Sequence, residues 1–226
     1  MLEVIGTGSS GNCYILTSKS GQQLLLDCGV RLSGIMKGLR YDIMSSQGCL
    51  VTHSHKDHVL SADKLELYGI DVWKPYEDIE KNNMTVREFG DFKAMCFEVQ
   101  HDVPCVGYLI KYDGRKLLYV TDAEYCKYSF KKQGVNDFLI ECNYQSDLAE
   151  QSHSDMVRDR VYLTHMSEDA CVAFLKANQT ESMENILICH MSFSGCVPEM
   201  AVKRIEEEIG IKADFAVPGK AYFKER

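Results

Sequence analysis

Six short apolar runs in this chain each end in a side chain that can bind a metal ion or carry a proton, and that repetition constrains the fold more than any other feature. The ends are His53, His101, Asp122, Glu141, His165 and His190, and six of the seven histidines lie at or just beyond them, His153 being the exception. A short apolar run is the mark of a buried strand. Strands gathered into stacked sheets bring their ends to one edge, so residues far apart in the chain build one site.

The first of these ends opens the densest cluster. The stretch Leu50-Val-Thr-His53-Ser-His55-Lys-Asp57-His58-Val59 places three histidines and an aspartate within six residues. Alternation in an extended loop lets His53, His55 and Asp57 point the same way. Neutral imidazole and carboxylate are ligands that borderline divalent cations take. A chance cluster in a polar loop is the weaker reading, because histidine is used so sparingly elsewhere.

Around this cluster the chain reads mostly as strands. Residues 2–5, 13–17 and 23–27 form three, and 6–12 (Gly-Thr-Gly-Ser-Ser-Gly-Asn) make either a tight turn or a backbone nest facing the metals; the lysine of a Walker loop is missing. Short helices are expected at 35–39 and on both sides of a strand at 70–73, where Trp73 reads as core. From residue 85 the pattern returns to strands: 91–100, then 106–112 paired with 115–120 across Asp113-Gly114, a strong hairpin signal. Residues 138–140, 161–163 and 186–189 are the later runs. Ser167 is placed to cap a helix with Ala170, Ala173, Phe174 and Ala177 as its buried stripe. A last helix runs from Pro198 to a stop at Gly210, and strands at 214–217 and 221–223 finish the chain.

With 226 residues and 45% hydrophobic content, residues 1–226 are expected to form a single domain. No apolar run approaches the ~20 residues of a membrane helix, and the N-terminus has no basic lead-in to a signal peptide. The expectation is a cytoplasmic protein with no membrane association. Ten scattered cysteines, without a Cys-x-x-Cys pair, read as buried thiols of a reducing compartment. The formal net charge of −8 works against a broad nucleic-acid surface. Lys127, Lys131 and Lys132 are candidates for a local basic track, with a solvated helix face as the more ordinary reading.

Residues 53 to 58 match His-x-His-x-Asp-His at every position, and the chain resembles the metallo-β-lactamase fold hydrolases that carry this motif. Gly8-Ser-Ser-Gly-Asn12, Glu141-Cys-Asn143 and Thr164-His165-Met-Ser167 narrow the resemblance to the YycJ/WalJ-like branch, related to RNase Z and RNase J and associated with nuclease activity. The chain departs from that branch at Tyr144, where a histidine is usual, and at Thr164, where a glycine is. The fold this implies is α/β, a four-layer αββα sandwich. Two divalent metal ions, zinc or manganese, are implied, one on His53, His55 and His101, the other on Asp57, His58 and His190, with Asp122 bridging. Asp27 is implied as a group that orients the metal loop.

The activity implied is dinuclear metal-dependent hydrolysis of a phosphodiester in DNA or RNA by a metal-bridging hydroxide. In that reading Asp57 ligates and orients the nucleophile, His165 acts as proton donor and Glu141 holds it. Ser9, Ser10, Asn12 and Asn143 are the expected substrate contacts. The alternatives are hydrolysis of a small substrate (a cyclic phosphodiester, thioester or lactone) and a non-catalytic metal-binding protein.

Overall fold

Runs of consecutive leucine, isoleucine and valine can satisfy both faces of a strand only between two other layers, and the computed structural model, which describes residues 1–152, 155–192 and 194–223, supplies those layers. His153 therefore lies outside the described residues. The strands are β1 (Leu2–Gly6), β2 (Cys13–Thr17), β3 (Gln23–Leu26), β4 (Ser46–Leu50), β5 (Val72–Trp73), β6 (Val86–Phe89), β7 (Phe92–Val99), β8 (Cys105–Tyr112), β9 (Arg115–Val120), β10 (Asp137–Glu141), β11 (Asn185–Cys189), β12 (Ala213–Phe215) and β13 (Ala221–Tyr222). The helices are α1 (Leu32–Gly38), α2 (Lys56–Val59), α3 (Ala62–Leu67), α4 (Ile79–Asn82), α5 (Ser146–Ser152), α6 (Asp155–Thr164), α7 (Glu168–Asn178) and α8 (Pro198–Ile209).

Two sheets result, one ordered β13-β1-β2-β3-β4-β5 and the other β12-β11-β10-β9-β8-β7-β6. Alternation along each strand divides the core in three. Leu24, Leu26 and Leu50 of the first sheet meet Tyr108, Tyr119 and Leu139 of the second between the sheets. Leu25 and Cys49 face outward onto Ile35 and Leu65 of α1 and α3. Phe138 and Ile188 face outward onto Leu175 and Ile205 of α7 and α8. The architecture is the four-layer αββα sandwich. Among the described residues no helix is long and apolar enough to cross a membrane.

Strand direction gathers the site. β3 runs parallel to β4, and β9, β10 and β11 are mutually parallel, so the residues that follow each of them emerge on one edge. β7 and β9 are both antiparallel to β8, and thus end on the same side as each other. The sheets are tied there by Val106 N–H donating to the Thr52 carbonyl at 3.0 Å and by the Tyr108 hydroxyl donating to the Val51 carbonyl at 2.5 Å.

Local signals behave as their chemistry dictates. Asp113 and Gly114 both have positive φ (49° and 76°), as a type I′ hairpin turn requires. The Ser167 hydroxyl accepts from Ala170 N–H at 3.1 Å, and Gly210 closes α8 in the left-handed region.

Two expectations are corrected. Residues 161–163 belong to α6, not to a strand: the His165 N–H donates to the Val161 carbonyl and the Thr164 hydroxyl to the Arg160 carbonyl. A β-branched residue beside an aromatic mimics a buried strand, but Leu163 is 64% exposed, so the run lies on a surface helix. On α7, Ala173 and Ala177 are exposed, and the buried face is Cys171, Val172, Phe174, Leu175 and Asn178. That helix is apolar on nearly every side, so its pattern does not select a face.

Candidate metal centre

His53 and His55 lie in the loop that leaves β4, and Asp57 and His58 in the first turns of α2. His101 follows β7, Asp122 follows β9, and His190 follows β11. These seven residues converge. His53, His55 and His101 offer ligand atoms within 4.8 Å of one another, as do Asp57, His58 and His190, while Asp122 groups with His53 and His58 on one side and with Glu141, His165 and His190 on the other. His58 Nε2 stands 3.0 Å from Asp122 Oδ2, and His190 Nε2 is 3.5 Å from Asp122 Oδ1 and 3.9 Å from Asp57 Oδ2.

Four of the five candidate ligand rings are held by an outer nitrogen. His58 Nδ1 donates to Asp27 Oδ2 at 2.8 Å, His101 Nδ1 to the Thr164 carbonyl at 2.9 Å, and His190 Nδ1 to Glu141 Oε1 at 3.1 Å. His53 Nδ1 lies 3.1 Å from the Thr52 hydroxyl, which itself donates to Asp27. The Nε2 atoms are thereby turned inward, the tautomer and orientation that metal-ligating histidines adopt. Two of them, His53 Nε2 and His190 Nε2, are buried without a hydrogen-bond partner. A buried polar atom left so costs ~1–3 kcal/mol, a cost that ligation of a cation would remove. The donor set of imidazoles and carboxylates fits a divalent ion.

The electrostatics fit as well. Burial pushes the His53 imidazole well down, and neighbouring His58 adds to that. Burial also opposes charge on His58 and His190, but carboxylates outweigh it: Asp27 and Asp122 raise His58 to about 10, and Asp122, Asp57 and Glu141 hold His190 well above the ordinary histidine value. Against its own burial Asp122 is held well below the usual carboxylate range by His190 and His58. Protons on His58 and His190 balance buried carboxylates, and a cation would take their place.

Backbone strain is present here as well. Asp27, Asp122 and His190 all have positive φ (55°, 47° and 50°), a region non-glycine residues enter only when their surroundings over-determine it.

The remaining expected site residues divide by burial. Glu141 is fully buried. Its Oε1 accepts from His165 Nδ1 at 2.7 Å as well as from His190, and its Oε2 accepts from Ala123 N–H. His165 lines the cavity over the centre, as do Ser9 and Asp57. Asn12 and Asn143 are buried. The Asn12 amide nitrogen lies 2.9 Å from His58 Nε2, and Asn143 Nδ2 donates to the His190 carbonyl at 2.7 Å. The Ser10 hydroxyl turns back to the Thr7 carbonyl.

Sequence reasoning missed Thr52, which contacts His53, His58 and Asp27, and Tyr119, whose hydroxyl donates to Asp27 Oδ2 at 2.5 Å. A polar-tipped residue inside an otherwise apolar strand was the available signal for Tyr119. It also missed Asp102, whose Oδ1 is 3.0 Å from His101 Nε2 and 3.5 Å from His55 Nε2.

Comparison with known proteins agrees with this fold. The family model described as anti-Pycsar protein Apyc1 matches residues 2–70, the segment that carries the His53–His58 motif. The exodeoxyribonuclease YycJ of Bacillus anthracis is 28% identical over 240 residues, covering 92% of this chain and 89% of that protein. Among solved structures, the metallo-β-lactamase fold protein YhfI of Bacillus subtilis superimposes with a TM-score of 0.75 at 18% identity over 97% of both chains. Short-form human tRNase Z does so with a TM-score of 0.61 at 14% identity, again over 97% of both. This chain has the metallo-β-lactamase fold, and within it resembles the YycJ-like branch.

Proposed function

We propose that the protein is a dinuclear metal-dependent phosphodiesterase acting on nucleic acid. The observation that carries this reading is the pair of three-residue ligand groups meeting at Asp122, with the His165–Glu141 pair on the wall of the same cavity. Similarity to a protein named as an exodeoxyribonuclease supports the substrate class. Zinc or manganese ions held by His53, His55 and His101 and by Asp57, His58 and His190, with Asp122 between them, would supply Lewis acidity and a water acidic enough to deprotonate near neutral pH.

The chain's own groups do the rest. Asp57, with its side chain 29% exposed in the cavity, accepts a hydrogen bond from the attacking water and aims it. Glu141 accepts from His165 Nδ1, leaving Nε2 to deliver a proton to the leaving oxygen. Burial disfavours charge on His165, but Glu141 outweighs it and raises the imidazole above its ordinary value, as a proton donor at neutral pH needs. Ser9 contacts the substrate phosphate, while Asn12, Asn143 and Asp27 act by holding the histidines.

A net charge of −8 favours a small substrate such as a cyclic phosphodiester, thioester or lactone as the second reading. The deciding experiment is incubation of end-labelled single- and double-stranded DNA and RNA with Mn²⁺ or Zn²⁺, beside an Asp57→Asn variant. Cleavage by the wild type and none by the variant supports the nuclease reading and names its polymer. Absence of cleavage of every polymer rejects it in favour of the small substrates.

A further inference from the structure

The cavity over the metal centre, about 580 Å³, carries on its wall two positive charges with no role at the reacting atoms. Lys56 and Arg160 are the lysine and arginine side chains that line it among the described residues. They reach it from opposite halves of the chain, Lys56 from α2 within the His53–His58 motif and Arg160 from α6. Lys56 is exposed and forms no ion pair with any described residue. Arg160 has a 71% exposed side chain, and Asp102 Oδ2, its ion-pair partner, stands 3.9 Å away, at the outer limit of such a contact.

Several cations elsewhere on the protein are committed to carboxylates. Arg115 meets Asp137 at 2.7 Å, Arg204 meets Asp169 at 2.6 Å and Lys127 meets Glu98 at 2.5 Å. Neither Lys127 nor its neighbours Lys131 and Lys132 line the cavity. In a chain of net charge −8, two uncommitted cations beside a carboxylate-rich centre reverse the local sign where an anion must enter. A single scissile phosphate seated among the histidines and aspartates has no need of both, whereas a strand carries further phosphates on each side.

We propose that Lys56 and Arg160 grip the phosphates flanking the scissile one, so that the substrate is a nucleic-acid strand and not an isolated phosphodiester. This rests on the phosphodiesterase reading and narrows its substrate. The floor of the cavity is deep, with His190 only 2% exposed, so the scissile phosphate must reach inward while its neighbours stay near the exposed Lys56 and Arg160. Contacts to phosphate alone position a strand without reading its sequence.

The test uses the metal-loaded protein and a Lys56→Gln/Arg160→Gln double variant, with metal content measured on both. A fluorescent, cleavage-resistant phosphorothioate thymidine strand is titrated by anisotropy over a salt series. Each lost phosphate contact should lower the slope of log affinity against log salt by about 0.7, so the double variant should lose about 1.4. In parallel, kcat/KM is measured on an unmodified thymidine strand and on bis(p-nitrophenyl) phosphate. The ratio of strand to small diester should fall at least about ten-fold in the variant, at equal metal content.

An unchanged salt slope, or an equal loss on strand and small diester, overturns the assignment. So does a wild type that cleaves the small diester yet binds the strand without salt dependence, an outcome that leaves the phosphodiesterase reading standing. Failure of the wild type on both substrates removes that reading itself, while the binding titration still decides whether the two cations hold a strand.

Discussion

At the scale of single residues, the arrangement separates groups that hold metal from groups that move protons. His165→Ala should keep its metal content while turnover falls by about 10²-fold, the usual worth of a positioned proton donor; loss of metal would instead make His165 a ligand. Asp122→Ala should lower metal occupancy directly, because its carboxylate faces both histidine groups. Elemental analysis after dialysis reads both variants. Asp27 is fully buried and does not line the cavity over the centre, yet it receives hydrogen bonds from His58, Thr52 and Tyr119. Replacing such an outer partner typically costs about 10–100-fold in metal affinity, and Asp27→Asn should show that loss in a chelator competition.

Among the elements, the loop after β3 is the part that sets the metal motif in place. Cys28 N–H donates to the His58 carbonyl and Asn12 N–H to the Asp57 carbonyl, while Gly29 N–H donates to the Asn12 carbonyl. Three chain segments are thus laced through their backbones, and Gly29 lies so close to α2 that a Cβ there would stand 1.6 Å from the Asp57 carbonyl oxygen. Gly29→Ala must push α2 away. We expect a loss of about 1–3 kcal/mol or more in urea unfolding, together with weaker metal binding. Gly34→Ala is the control: its Cβ would meet nothing nearer than 3.8 Å, and α1 should be indifferent or slightly stabilised.

For the molecule as a whole, stability and metal binding are linked through protons. In the folded protein without metal, His58 is raised to about 10 from an unfolded value near 6.5. A raised imidazole stabilises the fold fully below its unfolded value, and that contribution disappears as pH climbs through the folded one. His190 and His165 act in the same direction; His53 and His101, pushed down foremost by burial, act in the opposite one. Urea midpoints in excess EDTA should therefore fall between about pH 6.5 and 10 if His58 dominates. With metal bound, the imidazoles are neutral ligands and this slope should flatten. Metal binding at neutral pH should also release protons, read by calorimetry in buffers of different ionisation enthalpy. A flat metal-free profile would show that the charges on His58 and its carboxylates are already balanced otherwise.

How much of this was legible in the chain follows from the range of the interactions. The His53–His58 motif, the type I′ hairpin at Asp113-Gly114, the Ser167 cap and the apolar strands that lead to His101, Asp122 and His190 all depend on neighbours a few residues away, and local chemistry encodes them. The helix segment at 161–163 that reads as a strand marks the limit of such reasoning, because a short run of Val-Tyr-Leu carries no periodicity that distinguishes a surface helix from a buried strand. Most partnerships between distant segments were beyond it, although the family resemblance already implied that Glu141 holds His165 and that Asp27 orients the metal loop. Tyr119 and Asp27 are 92 residues apart, Glu141 divides one oxygen between His165 and His190, and Lys56 meets Arg160 across one cavity. A ligand's identity is a property of its own side chain and is written in the sequence. Its orientation, its protonation and the field around it are set by groups that become neighbours only when the two sheets close.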